Sequence, residues 1–214
     1  MTLSSTRRAA GAVILLCLTR ALPADETHSP AGYQHYLIGN PADVVRPTTG
    51  LIVLQGGGDD VDENYVRMGA HGGGGDFVVL RASGEDDYND YIYALCHCDS
   101  VETIVFYERE AASDPDVIRT IRNAEALFIA GGDQSRYVRF WQGTPVEDAI
   151  NFVAAKPAPI GGTSAGMAIL GEFSYSAMGE ESLSSDVALA DPFAPDLTLA
   201  RGSCVTAGSR TLAG

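Results

Sequence analysis

Ala158-Pro159-Ile160-Gly161-Gly162-Thr163-Ser164-Ala165-Gly166-Met167-Ala168-Ile169-Leu170 reads as a short buried strand, a tight turn carrying one serine, and the first turns of a helix. Gly162 to Gly166 fits the G-x-S-x-G nucleophile-elbow pattern. A serine between strand and helix sits on a sharp, strained turn that pushes its side chain out of the sheet. Flanking glycines remove the β-carbons that would clash with the neighbouring strand and helix. The N–H of Ala165, at the helix start, then points to where a tetrahedral intermediate carries its negative charge. In a chain with 24 glycines the pattern also fits a plain glycine-rich strand-to-helix turn. The surrounding segments decide between the two.

Outward from this elbow, strands and helices alternate. Tyr33 to Ile38 is a candidate leading strand. Leu51-Ile52-Val53-Leu54 is a continuous apolar run, as expected of a strand buried on both faces. It ends at Gly56-Gly57-Gly58. The acids from Asp59 to Glu63 suit the start of a helix running to about Met68, or they face a ligand across the glycine turn. Phe77–Leu80, Val101–Tyr107 and Ala126–Ala130 are further strands. Helices are expected from about Glu85 to Leu95, Asp114 to Ala124 and Val146 to Ala155. Another, carrying Tyr137, Phe140 and Trp141, follows Gly131-Gly132-Asp133-Gln134. Alternation of this kind means parallel crossovers and a doubly wound sheet with helices on both faces. In such sheets ligands bind beyond the carboxyl ends of the strands. Gly56–Gly58, Gly131–Gln134 and Ser164 all fall there, on one crevice.

Length and composition bound the class. The 214 residues, 45% hydrophobic and 20% charged, suffice for one globular domain with a sizeable core. Arg7-Arg8, the apolar run Ala9–Leu18 and Ala21-Leu22-Pro23-Ala24 form a basic, apolar and small-residue series. It reads as a cleavable secretory signal, residues 1–24, leaving a single domain over residues 25–214 in a secreted or periplasmic protein. The run is too short to span a membrane. Cleavage removes Arg7, Arg8 and Arg20 and no acid, so the formal charge moves from −14 to −17. Such acidity argues against nucleic acid and anionic membranes as partners. It suits an arginine-bearing substrate, and equally a plain solvated acidic surface.

Cys96-His97-Cys98 has half the ligands of a zinc site, without a second pair to complete four. Cys96 is therefore expected to pack as a small hydrophobe at a helix end. With Cys204, an odd count after cleavage leaves at least one free or intermolecular thiol.

Ile129-Ala130-Gly131-Gly132-Asp133-Gln134, followed about thirty positions later by Gly161-Gly162-Thr163-Ser164-Ala165-Gly166, resembles the cyanophycinases. With the aspartyl dipeptidases they form a group of serine exopeptidases on a glutamine-amidotransferase-like α/β fold. The resemblance runs from about Gly50 to about Leu199. It implies Ser164 as nucleophile, backbone N–H groups of Gly132 and Ala165 as oxyanion donors, and Gln134 with Asp133 in the substrate site. Gly57-Gly58-Asp59-Asp60 resembles, more loosely, the family's glycine-acid loop, which adds Gly58 and Asp59 to the substrate residues. The implied substrate is a peptide or isopeptide with aspartyl and arginyl residues, cleaved without metal or cofactor. A homodimer is compatible with it.

One family feature has no counterpart. A catalytic serine needs a base, usually a histidine oriented by a carboxylate. The family places it after the serine, in an acid-x-His-Phe segment. Here the four histidines are His28, His35, His71 and His97, all before Ser164. From 200 to 214 the chain turns small and polar, as a truncation or a shifted reading frame would make it, with the final strands missing. Besides a peptidase, two other readings fit: a non-catalytic binding protein on the same fold, and an esterase of α/β-hydrolase type. The esterase leaves Gly131–Gln134 unexplained.

Overall fold

The computed structural model describes residues 31–181 and 183–201. The signal-peptide segment, His28, Cys17, Cys204 and most of the atypical tail lie outside the described residues.

Strand β1 (Tyr33–Gly39) and strand β2 (Leu51–Gln55) lead into helix α1 (Asp62–His71). Then come β3 (Asp76–Arg81), α2 (Asp87–Cys96), β4 (Ser100–Phe106), a 3-10 turn at Arg109–Ser113, and α3 (Pro115–Asn123). Strand β5 (Ala126–Ile129), α4 (Gln134–Trp141), α5 (Pro145–Ala155), β6 (Pro159–Thr163) and the single turn α6 (Ala165–Ala168) complete the sheet region. A small antiparallel pair, β7 (Phe173–Tyr175) and β8 (Leu199–Arg201), brackets α7 (Ser185–Ala190).

The six-stranded sheet has the order β1-β4-β3-β5-β6-β2. Every pairing is parallel except that of β1 with β4. The runs Phe77–Leu80 and Ala126–Ile129 are buried throughout, because helices cover both faces. On one face Val53, Phe77, Val79, Val101 and Phe128 pack with Tyr65 and Met68 of α1 and Ile92 of α2. On the other, Val78, Leu80, Leu127, Ile129 and Ile160 pack with residues of α3, α4 and α5, Trp141 among them. The fold is the doubly wound, mainly parallel α/β sheet that the alternation predicts.

Three local expectations are corrected. Strand β2 is buried on one face only: Val53 is 7% exposed, but Ile52 is 46% and Leu54 64%. Among the described residues it is an edge strand. Cys96 does not pack as a lone hydrophobe; it is disulfide-bonded to Cys98 across His97, which takes a left-handed φ of 52°. Arg201, read as the start of a strandless tail, closes β8 against Phe173.

Candidate active site

The registers Gln55↔Thr163 and Ile129↔Gly162 bring the carboxyl ends of β2, β5 and β6 level. Ser164 leaves β6 with φ 51° and ψ −118°, a conformation L-residues rarely hold unless their surroundings force it. The surroundings here are backbone. A β-carbon on Gly162 would lie 2.7 Å from the carbonyl of Gly166, and one on Gly166 only 2.1 Å from the Ile129 oxygen. Both glycines are needed for close approach of β6, α6 and β5. The Ser164 N–H donates to the Gln55 carbonyl (3.0 Å), and the Ser164 carbonyl accepts from Ala168 N–H (3.0 Å), opening α6.

Pushed out of the sheet, the serine stands exposed between two glycine turns. A β-carbon placed on Gly57 would be 3.7 Å from Ser164 Oγ, and one on Gly131 3.3 Å from Ser164 Cβ. Without those β-carbons a substrate carbonyl has room on both sides of the hydroxyl. Ala165 begins α6 and is buried. Gly132 has φ 144°, a backbone state open to glycine, beside Ser83 and Tyr137. The Tyr137 hydroxyl fixes this turn by donating to the carbonyls of Ala130 (2.8 Å) and Gly131 (3.2 Å).

Asp133 and Gln134 lie together on a cleft of about 400 Å³, with Tyr175, Gly179, Glu180 and Glu181. Asp133 has a second task, as the cap of α4: its Oδ1 accepts from Ser135 N–H at 2.9 Å. Gly58 and Asp59 are exposed on the β2 turn and are not among the cleft's lining. Tyr175, Glu180 and Glu181 escaped the sequence reading. Their segment has no periodic pattern, and only the β7–β8 pairing carries it to Gln134.

The described histidines lie elsewhere. His35 is on edge strand β1, 2.8 Å from Glu102. His71 ends α1 beside the Thr49 carbonyl, and His97 follows α2; both are at the amino ends of the strands, opposite Ser164. Among the described residues no histidine reaches the crevice.

The sequence model of peptidase family S51 matches residues 88–187, the stretch from α2 to α7 that holds both glycine motifs and Ser164. Over that stretch, just under half of its length, the chain is similar to peptidase family S51. A crystal structure of a peptidase from an acI-B1 Actinobacterium is similar at 16% identity and a TM-score of 0.44. That match covers 57% of this chain and 56% of the other, so it spans little more than half of that peptidase's length. No curated protein matches the chain.

Proposed function

We propose that this chain is a member of peptidase family S51, a secreted serine-type peptidase that hydrolyses peptide or isopeptide bonds beside aspartyl residues. The observation that carries the reading is Ser164, held at a strained φ by backbone contacts and presented between two glycine turns at the carboxyl ends of the strands. In the proposed reaction Ser164 Oγ attacks the scissile carbonyl and loses its proton to a base. The developing oxyanion takes the N–H groups of Ala165 and Gly132, the amine departs with the proton, and water releases the acyl group. Asp133, Glu180 and Glu181 give the neighbouring cleft an anionic lining suited to a guanidinium or ammonium side chain.

The same geometry motivates a second reading. Among the described residues no histidine stands within reach of Ser164 to take its proton. Loss of a triad member costs about 10⁴-fold or more, while the oxyanion hole retains a small residual rate. We therefore expect the 214-residue chain to turn over very slowly, or to act as a binding protein.

The test is hydrolysis of a β-aspartyl-arginine dipeptide by residues 25–214, beside a form extended with an acid-x-His-Phe segment. The account predicts residual hydrolysis in the first that Ser164→Ala changes little, and a far higher rate in the second that Ser164→Ala abolishes. Glu180→Gln with Glu181→Gln should raise KM about tenfold for the arginine substrate and leave a citrulline analogue unchanged. Equal rates from the two forms would mean that the base is already present. Substrate binding with no hydrolysis from either form would favour the binding protein.

A further inference from the structure

We infer that Gln55, the last residue of β2, is a positioning residue for the nucleophile, bracing the Gly56–Gly58 turn against the Ser164 elbow; this rests on the reading of Ser164 above. Gln55 is 5% exposed, unusual for an amide at the end of an edge strand. Its backbone and its side chain act on opposite sides of the crevice. The carbonyl accepts the Ser164 N–H at 3.0 Å, so any shift of β2 moves the elbow. The side-chain Nε2 donates to Asp60 Oδ1 at 2.6 Å, and Oε1 accepts from Asn64 Nδ2 at 2.7 Å and from the Val61 N–H at 3.4 Å. One amide thus closes the turn from residue 56 to 61 onto the strand that leads into it.

Neighbouring bonds leave the brace little freedom. Asp60 Oδ1 also accepts from the Tyr65 hydroxyl at 2.7 Å, tying the turn to a ring that is fully buried against Phe128. Burial, and then the bond to Asp60, push the Tyr65 hydroxyl well above its ordinary range, so it stays a proton donor at any working pH. From β6, Thr163 Oγ1 donates to the Gly56 carbonyl at 3.0 Å and lies 3.5 Å from Gln55 Nε2. The turn is therefore held at Gly56 by the residue before the serine and at Asp60 and Val61 by Gln55. Between these anchors lies Gly57, the backbone that faces the Ser164 hydroxyl. A buried network whose members are all bonded holds one geometry, whereas a half-bonded one does not.

The arrangement predicts that Gln55 governs how well the serine is presented rather than whether the sheet forms. The test compares wild type, Gln55→Ala and the exchange variant Gln55→Glu/Asp60→Asn, in which the carboxylate and amide trade places. Amide hydrogen exchange is read at Val61 and Ser164, and at Phe77–Leu80 and Ala126–Ile129 as the sheet reference. Phosphonylation of Ser164 by a small fluorophosphonate is followed by mass spectrometry. Gln55→Ala should speed exchange at Val61 and Ser164 about tenfold with the reference amides unchanged. It should slow phosphonylation by about tenfold, and the exchange variant should restore both to within about twofold of wild type. Unchanged exchange at Val61 and Ser164 would overturn the inference. Acceleration spread equally over β3 and β5, or a labelling rate indifferent to the brace, would overturn it as well. If wild type takes no label at Ser164, the peptidase reading fails, and the exchange pattern alone decides for or against the brace.

Discussion

Ser164 is strained because two glycines, Gly162 and Gly166, let backbone approach where side chains normally keep it apart. The closeness is uneven, and it predicts uneven costs. A β-carbon at residue 166 would meet the Ile129 and Ala130 carbonyls at 2.1 and 2.5 Å, backbone that cannot move without opening β5. Gly56, one turn away, has nothing within 4 Å of its β-carbon direction. Gly166→Ala should cost about 3 kcal/mol or more, beyond the usual range for overpacking, and Gly56→Ala should be close to neutral. Urea denaturation midpoints of the two variants check this. The elbow was legible in the sequence because its glycines are bunched around one serine. Gln55 was not, since a glutamine after an apolar run has no pattern that distinguishes a buried brace from a solvated loop residue.

At the scale of elements, the helices begin where local chemistry ends the preceding segment. Asp114 caps α3, accepting from Asp116 N–H at 2.8 Å and Val117 N–H at 3.3 Å, with Pro115 at the first helical position. Asp114→Ala should lower stability by about 1 kcal/mol without altering the crevice, as thermal unfolding would show. At the amino ends of the strands two buried carboxylates face each other across β3 and the start of β5. Glu125 Oε2 accepts the Asp76 N–H at 3.0 Å, and Asp76 accepts from Ser100 Oγ and from the Val44 N–H. Burial is the largest influence on both and raises both above the ordinary carboxylate range. The folded state then keeps these protons to higher pH than the unfolded state does. The stability they contribute is full below the unfolded carboxylate pKa and is lost as pH rises through the raised values. Asp76→Asn should therefore make the melting temperature fall less between pH 4 and pH 8 than it does in wild type. An unchanged or steeper fall would contradict this. Element positions were legible from buried apolar runs and turn residues. The pairing of β7 with β8 was not, because its strands are three residues long and separated by α7.

For the whole molecule, the topology explains why the crevice lies where it does and why, among the described residues, β2 borders the sheet. Strand β6 lies between β5 and β2, so the loops that follow these three strands meet at one end of the sheet. The exposure of Ile52 and Leu54 shows where the sequence misled: an apolar run read as doubly buried lies on an edge, a property of strand order that local pattern does not encode. An unpaired, apolar edge is a template for pairing with another chain. Leu54→Lys should reduce concentration-dependent association in sedimentation runs while leaving the melting temperature within about 2 °C, as surface substitutions generally do.

The central claim is that Ser164 is the nucleophile. Its most direct test is prolonged exposure of the full chain to a small fluorophosphonate, followed by digestion and mass mapping of the adduct. The account predicts slow formation of one phosphonyl ester on Ser164, with fluoride released and the hydroxyl proton lost to solvent, and none on the Ser164→Ala chain. An adduct on another residue, labelling that survives Ser164→Ala, or no adduct on Ser164 at all would contradict it.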